Sequence, residues 1–327
     1  MKKIFLIFIL LMVSGLALAD EYNALYRAPR PMAMGGAFTA VSDDINALFY
    51  NPAGLNRIKP GEGEIVLFNP MLQFNSQALH VIGSAKDIAK GGNVMQTLTP
   101  YIGQNINLDV APMMPYWVRH NFAIALMLPN INNNTLLRRW IAPQAYEKLI
   151  VDSGILVGYS HGFLQDRLAI GADVKVLVRG GGTFVFDAAD LYKQKAINLK
   201  DMGGYGLGVD MDLGALYTFN KVWFFIPTIG LSINNLLATQ FKTKFDDNPN
   251  IGLPPALQRS VGIGSKFELP EFSLVKKWIV AADITHLGLP GSFFKKFHLG
   301  TEAWLLNFFG LRGGVNQGYL QKGFVSP

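Results

Sequence analysis

Along much of this chain, apolar and polar residues alternate one for one. From Leu168 to Arg179, Leu168, Ile170, Ala172, Val174, Val176 and Val178 share one face, while Ala169, Gly171, Asp173, Lys175, Leu177 and Arg179 share the other. From Leu207 to Tyr217 the same rhythm sets Leu207, Val209, Met211, Leu213, Ala215 and Tyr217 against Gly208, Asp210, Asp212, Gly214 and Leu216. Val261, Ile263, Phe267 and Leu269 likewise oppose Gly262, Gly264, Lys266 and Glu268. A period of two with unlike faces marks a strand between two environments. In a soluble sandwich the apolar face would be the core; in a transmembrane barrel it meets lipid and the polar face lines the lumen.

The pattern predicts strands near Ile65–Phe74, Asn107–Val118, Phe122–Ile131, Leu149–Ser160, Arg167–Arg179, Tyr205–Thr218, Val222–Asn234, Gln258–Leu269, Trp278–His286, Phe297–Leu305 and Phe309–Asn316, with a further one starting at Tyr319. Their connections alternate in length. Arg119-His120-Asn121, Phe219-Asn220-Lys221 and Leu306-Asn307-Phe308 are tight, whereas Asn75–Ile106, Gly180–Gly204 and Asn235–Leu257 are long. Outer-membrane barrels alternate in this way, with short periplasmic turns and long external loops. Trp117, Tyr159, Phe163, Tyr217, Phe219, Trp223, Phe267, Trp278, Trp304 and Phe309 all lie close to the short turns. Rings gather at headgroup level, so this clustering reads as a periplasmic aromatic girdle. The fold expected is all-β: an antiparallel transmembrane β-barrel.

Composition sharpens that expectation. Half the residues are apolar and 16% are charged, yet after the N-terminus no apolar run is long enough for a membrane helix. Lys2 and Lys3, the apolar run Ile4–Val13 and Ala17-Leu18-Ala19 before Asp20 form a signal peptide over residues 1–19 with an A-x-A cleavage site. Its removal takes two lysines and lowers the formal charge from +6 to +4. There is no cysteine, which excludes a disulfide framework, thiolate chemistry and a lipoprotein anchor.

Residues 20–61 differ in kind from the strands that fill 62–327. Gly35-Gly36 permits close backbone approach or positive φ. Ser42, Asp43 and Asp44 are natural caps for a helical turn, and Asn51-Pro52-Ala53-Gly54 is a turn whose proline stops a helix. So irregular a segment cannot face lipid and is expected to shelter in the lumen as a hatch. The run Met34-Gly35-Gly36-Ala37-Phe38, with Ser42-Asp43-Asp44 and Asn51-Pro52-Ala53-Gly54-Leu55, resembles the opening of the FadL/TodX family of outer-membrane proteins. Leu299–Glu302 and Leu311–Tyr319 are similar to the late part of its secretion-linked, PorV-like branch. The resemblance implies a fourteen-stranded barrel plugged by its N-terminal segment, with Asn51, Pro52 and Ala53 at the hatch motif. About twelve strands are visible, the last only beginning as the chain stops at Ser326-Pro327 without a terminal aromatic strand, so either a C-terminal truncation or an atypical barrel is expected.

No G-x-S-x-G, H-E-x-x-H or P-loop motif is present, and His80, His120, His161, His286 and His298 include no pair at ligand spacing. No enzyme, cofactor or metal site is expected, and the dispersed basic residues give no nucleic-acid stripe. Gly204, Gly206 and Gly208 mark a small-residue face where the hatch or a neighbouring segment comes close. The lumen-facing polar set is Asp173, Lys175, Arg179, Asp210, Asp212, Lys266, Glu268, Asp283, Glu302 and Arg312. It serves either as a polar path or hatch-holding network, or simply as the paired interior that any such barrel needs. Pro112, Pro115 and Pro129 fall on adjacent strands and remove ladder donors, weakening one seam of the wall or merely ending a strand. The function implied is passive outer-membrane passage of a hydrophobic small molecule such as a long-chain fatty acid, captured by loops Asn75–Ile106 and Asn132–Lys148. The alternative is a scaffold or shuttle for a protein-secretion system. Expected partners are outer-membrane lipid and either that small molecule or a secretion protein.

Overall fold

The computed structural model describes residues 25–89, 99–111, 113–139, 143–186, 204–243, 253–290, 293–306, 308–316 and 319–325; the signal peptide lies outside them. The chain is all-β. Its strands are β1 (Gly63–Val66), β2 (Met71–Phe74), β3 (Asn105–Ala111), β4 (Tyr116–Arg119), β5 (Phe122–Arg139), β6 (Pro143–Phe163), β7 (Leu168–Phe186), β8 (Tyr205–Thr218), β9 (Ile226–Asn234), β10 (Lys242–Thr243), β11 (Ser260–Leu269), β12 (Val275–Leu287), β13 (Phe297–Leu305), β14 (Phe309–Asn316) and β15 (Tyr319–Val325). All belong to one antiparallel sheet whose main path runs β1-β4-β5-β6-β7-β8-β9-β11-β12-β13-β14-β15. β2 and β3 continue the lines of β1 and β4: Ile65 pairs with Trp117 and Leu72 with Val110, while β3 and β4 both pair with β5. Among the described residues β1 and β15 do not pair with each other. No described helix is long and apolar enough to cross a membrane.

The alternation seen in sequence sorts the two faces. Along β7, Asp173, Lys175, Leu177 and Arg179 are buried while Ile170, Val174, Val176 and Val178 are exposed, the last four by 41–49%. Aliphatic residues displayed in rows and charges buried beneath them invert the order of a soluble sheet. The space enclosed is filled by the N-terminal segment, which comprises α1 (Pro29–Ala33), α2 (Ala47–Tyr50) and a 3-10 turn, Pro52–Arg57. This one segment touches strands far apart in the sheet. Leu25 accepts a hydrogen bond from Asn130 on β5, the 3-10 turn packs on β6, β7 and β8, and Met34 lies against Gly300 on β13 and Gly314 on β14. The sheet therefore curls around it as a barrel-shaped wall.

Two boundaries differ from the sequence reading. The loop expected at Asn132–Lys148 is largely strand, since β5 runs to Arg139 and β6 begins at Pro143. Its polar residues find partners across the ladder, as when Asn133 donates to Glu147 at 3.0 Å, so polarity there does not require a loop. The strand expected to begin at Val222 begins at Ile226, because Val222 and Phe225 close a tighter turn tip around Trp223-Phe224. α3 (Ser76–Ala89) occupies part of the long connection after β2. α4 (Phe293–Lys296) precedes β13. Most of the expected loop Gly180–Gly204 lies outside the described residues, β7 itself extending to Phe186.

Candidate functional site

The hatch is held first through its backbone. Gly35 and Gly36 take φ of +65° and +80°, a left-handed pair that L side chains rarely adopt. A Cβ on Gly35 would fall on the backbone of Val315 and Leu299, so glycine is also the only residue that lets this turn seat on the wall. Ser42 donates to the Phe38 carbonyl at 2.8 Å and closes the following turn. Asn51 is the hub. Its Oδ1 accepts from the Ala53 amide at 3.2 Å, and its Nδ2 donates to the Thr39 carbonyl at 2.8 Å, with Ala215 of β8 and Leu231 of β9 at 3.2 and 3.3 Å. Only an amide offers donor and acceptor at once on so short a stem. Pro52 and Ala53 rest on Gly171 of β7 and Gly214 of β8, and a Cβ on Gly171 would lie 2.5 Å from the Ala53 nitrogen and the Pro52 carbonyl. Gly54 is equally tight against the Ser42 backbone.

The second hold is ionic. Arg30 of α1 donates to both oxygens of Glu302 on β13 at 2.8 and 2.9 Å, to Asp44 at 2.7 Å, and to Asp43. Arg312 on β14 shares Glu302 at 2.6 Å, and Lys277 on β12 approaches Asp43 at 3.5 Å. Burial pushes both hatch carboxyls up, but the outcomes diverge. Arg30 and Lys277 hold Asp43 well below the ordinary carboxylate range, whereas Asp44, despite Arg30, stays above it with the Asp43 charge beside it. Burial alone would lower Arg30; the surrounding carboxylates raise it instead. Asp283 on β12 receives the Thr39 amide at 2.6 Å. His298 bonds the Gly35 carbonyl through Nδ1 at 2.8 Å and Thr285 through Nε2 at 2.8 Å, with His286 on the other side of Thr285.

The lumen-facing polar set thus divides in space. Glu302 and Asp283 bind the hatch directly, and Arg312 backs Glu302 from the next strand. Lys266 pairs with Glu268 at 3.6 Å towards the short-turn rim. The rest form a separate cluster towards the long connections. Lys175 reaches Asp212 at 2.6 Å and Asn235 at 2.7 Å, and Arg179 grips Asp152 at 2.7 and 2.9 Å over the Phe241 ring. Asp210 accepts the amides of Leu237 and Thr239. These contacts turn the chain inward after β9, and Thr239 and Phe241 fill the space above Gly208, so the close approach at that glycine is by a neighbouring segment. Asp173 is fully buried opposite Asp212, and among the described residues no side chain hydrogen-bonds to either of its oxygens. Arg30, Thr39, Asp152, Asn235 and His298 are the residues that sequence reasoning missed. An arginine in an apolar segment shortly before the adjacent Asp43 and Asp44 was a usable signal for the first.

Between the hatch and the cluster lies a cavity of about 190 Å³. Leu25, Tyr26, Phe49, Tyr50, Leu257 and Leu289 supply apolar walls, and Arg27, Lys148, Lys175, Arg179, His286 and His298 polar ones. The proline region lies elsewhere in the wall. Pro112 is outside the described residues, and the strand breaks between β3 and β4. Two donors from β5 span the break, Leu126 to the Pro115 carbonyl at 2.9 Å and Leu128 to Met113 at 3.3 Å. On the other side of β5, Leu128 and Pro129 together face Ser153, a bulge in the ladder with β6. Among the described residues no group of three or more histidines and carboxylates is placed to hold a metal ion.

No protein-family model matches the chain, and no curated protein matches it. Among solved structures it is similar to the toluene transporter TodX of Pseudomonas putida, with 10% identity and a TM-score of 0.35 over 90% of this chain and 92% of that one.

Proposed function

We propose that the protein is an outer-membrane barrel that lets a hydrophobic small molecule, such as a long-chain fatty acid, pass without energy input. The observation that carries this reading is the cavity of about 190 Å³ beside the hatch, which pairs an aromatic and aliphatic wall with a few polar groups, as ligand sites do. The exposed aliphatic rows of the outer face fit a lipid surrounding, and the hatch motif resembles that of hydrocarbon importers. The test is flux of a hydrophobic probe into vesicles holding the purified protein. Ala256→Trp, placing a large side chain at the cavity, should cut the rate several-fold without loss of folded protein. Unchanged flux would count against the cavity as the path.

One observation favours a second reading, a scaffold or shuttle component of protein secretion like the PorV-like branch. The hatch is bolted at Asn51, Arg30, Asp283 and His298, and a lumen filled by a fixed plug needs no moving gate. Absent flux together with stable copurification of other envelope proteins would place this reading first.

A further inference from the structure

The short turns are not alike around the rim. At the β4–β5 end they are polar, with Arg119 exposed beside His120 and the exposed pair Lys59–Glu62 just before β1. The β6–β7 tip is mixed, Leu164 with Gln165, Asp166 and Arg167. At the next two hairpins the tips themselves are apolar, and the β13–β14 turn beyond them continues this with Leu306 and Phe308, each about half exposed. Trp223 is 88% exposed with Phe224 beside it, and Phe272 and Leu274 are 74% and 60% exposed. β9 lies between β8 and β11, so these two tips are neighbours, linked where the Phe225 ring meets Phe267 edge-on at 5.4 Å.

A second observation concerns the backbone. Both tips are tight turns closed by a single bridge, Val222 with Phe225 and Phe272 with Val275. Such turns use positive φ and ordinarily recruit asparagine or glycine. Here Trp223 takes φ of +57° and Ser273 +50°. A tryptophan in the left-handed region is strained, and strain at an exposed tip points to use of the side chain displayed there. Lys221 flanks one tip, and Lys276, at 3.4 Å from Glu271, flanks the other. Rings with lysines at their margin suit the phosphate level of a bilayer, apolar on one side and anionic on the other.

We propose that the tips Trp223-Phe224 and Phe272–Leu274 are a lipid anchor, which immerses this sector of the short-turn rim in the bilayer interface and leaves the β4–β5 sector in water. The occupant is the phospholipid leaflet on that side. Continuity with the aliphatic outer face and the flanking lysines single it out over a protein partner. Unequal immersion sets a tilt for the barrel, because interfacial anchors fix orientation. The inference rests on the reading of the wall as membrane-spanning.

The chain has no cysteine, so spin labels can be placed one at a time on the full mature protein in vesicles of phosphatidylethanolamine and phosphatidylglycerol. Phe224→Cys and Phe272→Cys report the tips, Arg119→Cys the polar turn and Val280→Cys the outer wall. Collisions with oxygen, which partitions into lipid, are compared with those of a water-soluble nickel complex. The oxygen-to-nickel ratio at 224 and 272 should exceed that at 119 several-fold and approach that at 280. Tips as wet as 119, with 280 in lipid, would overturn the anchor. So would tips shielded from both quenchers, which would indicate a protein partner or self-association. A wet 280 would instead overturn the membrane reading itself.

Discussion

Removing Arg30 should loosen the hatch more than any other single side-chain change in that segment. Arg30→Met keeps the length and apolar stem but deletes the charge. Glu302 would retain Arg312 at 2.6 Å and Asp43 would retain Lys277 at 3.5 Å. Asp44 would keep only the Asn46 amide at 2.8 Å, within a segment where burial already disfavours its ionised form. Breaking a buried ion pair by removing one partner costs about 3–5 kcal/mol, and the remaining cations place this case at the lower end, about 3 kcal/mol. Urea unfolding in detergent micelles, followed by the heat-dependent gel shift of folded barrels, measures it. A double-mutant cycle with Glu302→Gln should return a coupling of about 1 kcal/mol or more. A loss below about 1 kcal/mol would refute the ionic hold, since exposed pairs reach that much. The pH dependence has a definite sign. Asp43 has a lowered folded-state value, so its contribution is present above the unfolded value of about 4 and disappears as pH falls through the folded one. Asp44 is raised and acts oppositely, favouring the folded state at low pH. The stability gap between wild type and Asp43→Asn should therefore be full at pH 7 and narrow progressively as pH falls below about 4.

Gly171→Ala should destabilise the protein by about 1–3 kcal/mol, because the new methyl meets Pro52 and Ala53 backbone that cannot yield. Gly180→Ala, whose nearest neighbour is 3.6 Å away, is the matched control and should be neutral in the same melt. Asp173→Asn should stabilise by about 1 kcal/mol, since it replaces a buried carboxyl that faces Asp212 across the ladder and meets no hydrogen-bonding side chain among the described residues, and gives it a donor; a loss in urea midpoint would show that the carboxyl has a partner. If a hydrophobic ligand leaves sideways at the proline region, Pro112→Val with Pro129→Val should lower probe flux while folded protein holds or rises, and unchanged flux would exclude that exit.

What the sequence disclosed, and what it hid, follows from the range of the forces involved. β7 and β8 were legible because each residue reports its own face, and a side chain exposed to one medium need not know its partner. The turn at Arg119–Asn121 was legible from the polar residues that interrupt two apolar runs. Arg30 was not, because its main partner Glu302 lies 272 residues away and only the curled sheet brings them together. The run Asn132–Thr135 misled because asparagines are as content in a paired strand with Glu147 and Lys148 opposite as in a loop. The tip at Trp223 escaped because its turn type is announced by asparagine or glycine, and neither is there. The inward course of the chain at Asn235–Phe241 depends on Asp210 and Lys175 of other strands, which no local pattern can encode.

The proposed placement of the hatch inside a membrane-embedded wall is tested most directly by cysteine reactivity in membranes isolated from cells that express the protein. Ala53→Cys puts a thiol at a fully buried position against Gly171 and Gly214, and Glu62→Cys puts one at the exposed exit of the segment. With a bulky maleimide, Cys at 62 should label quickly and Cys at 53 should stay unlabelled until the sample is boiled. Equal labelling at both positions in unheated membranes would mean that the segment hangs free, and the plugged barrel would be wrong.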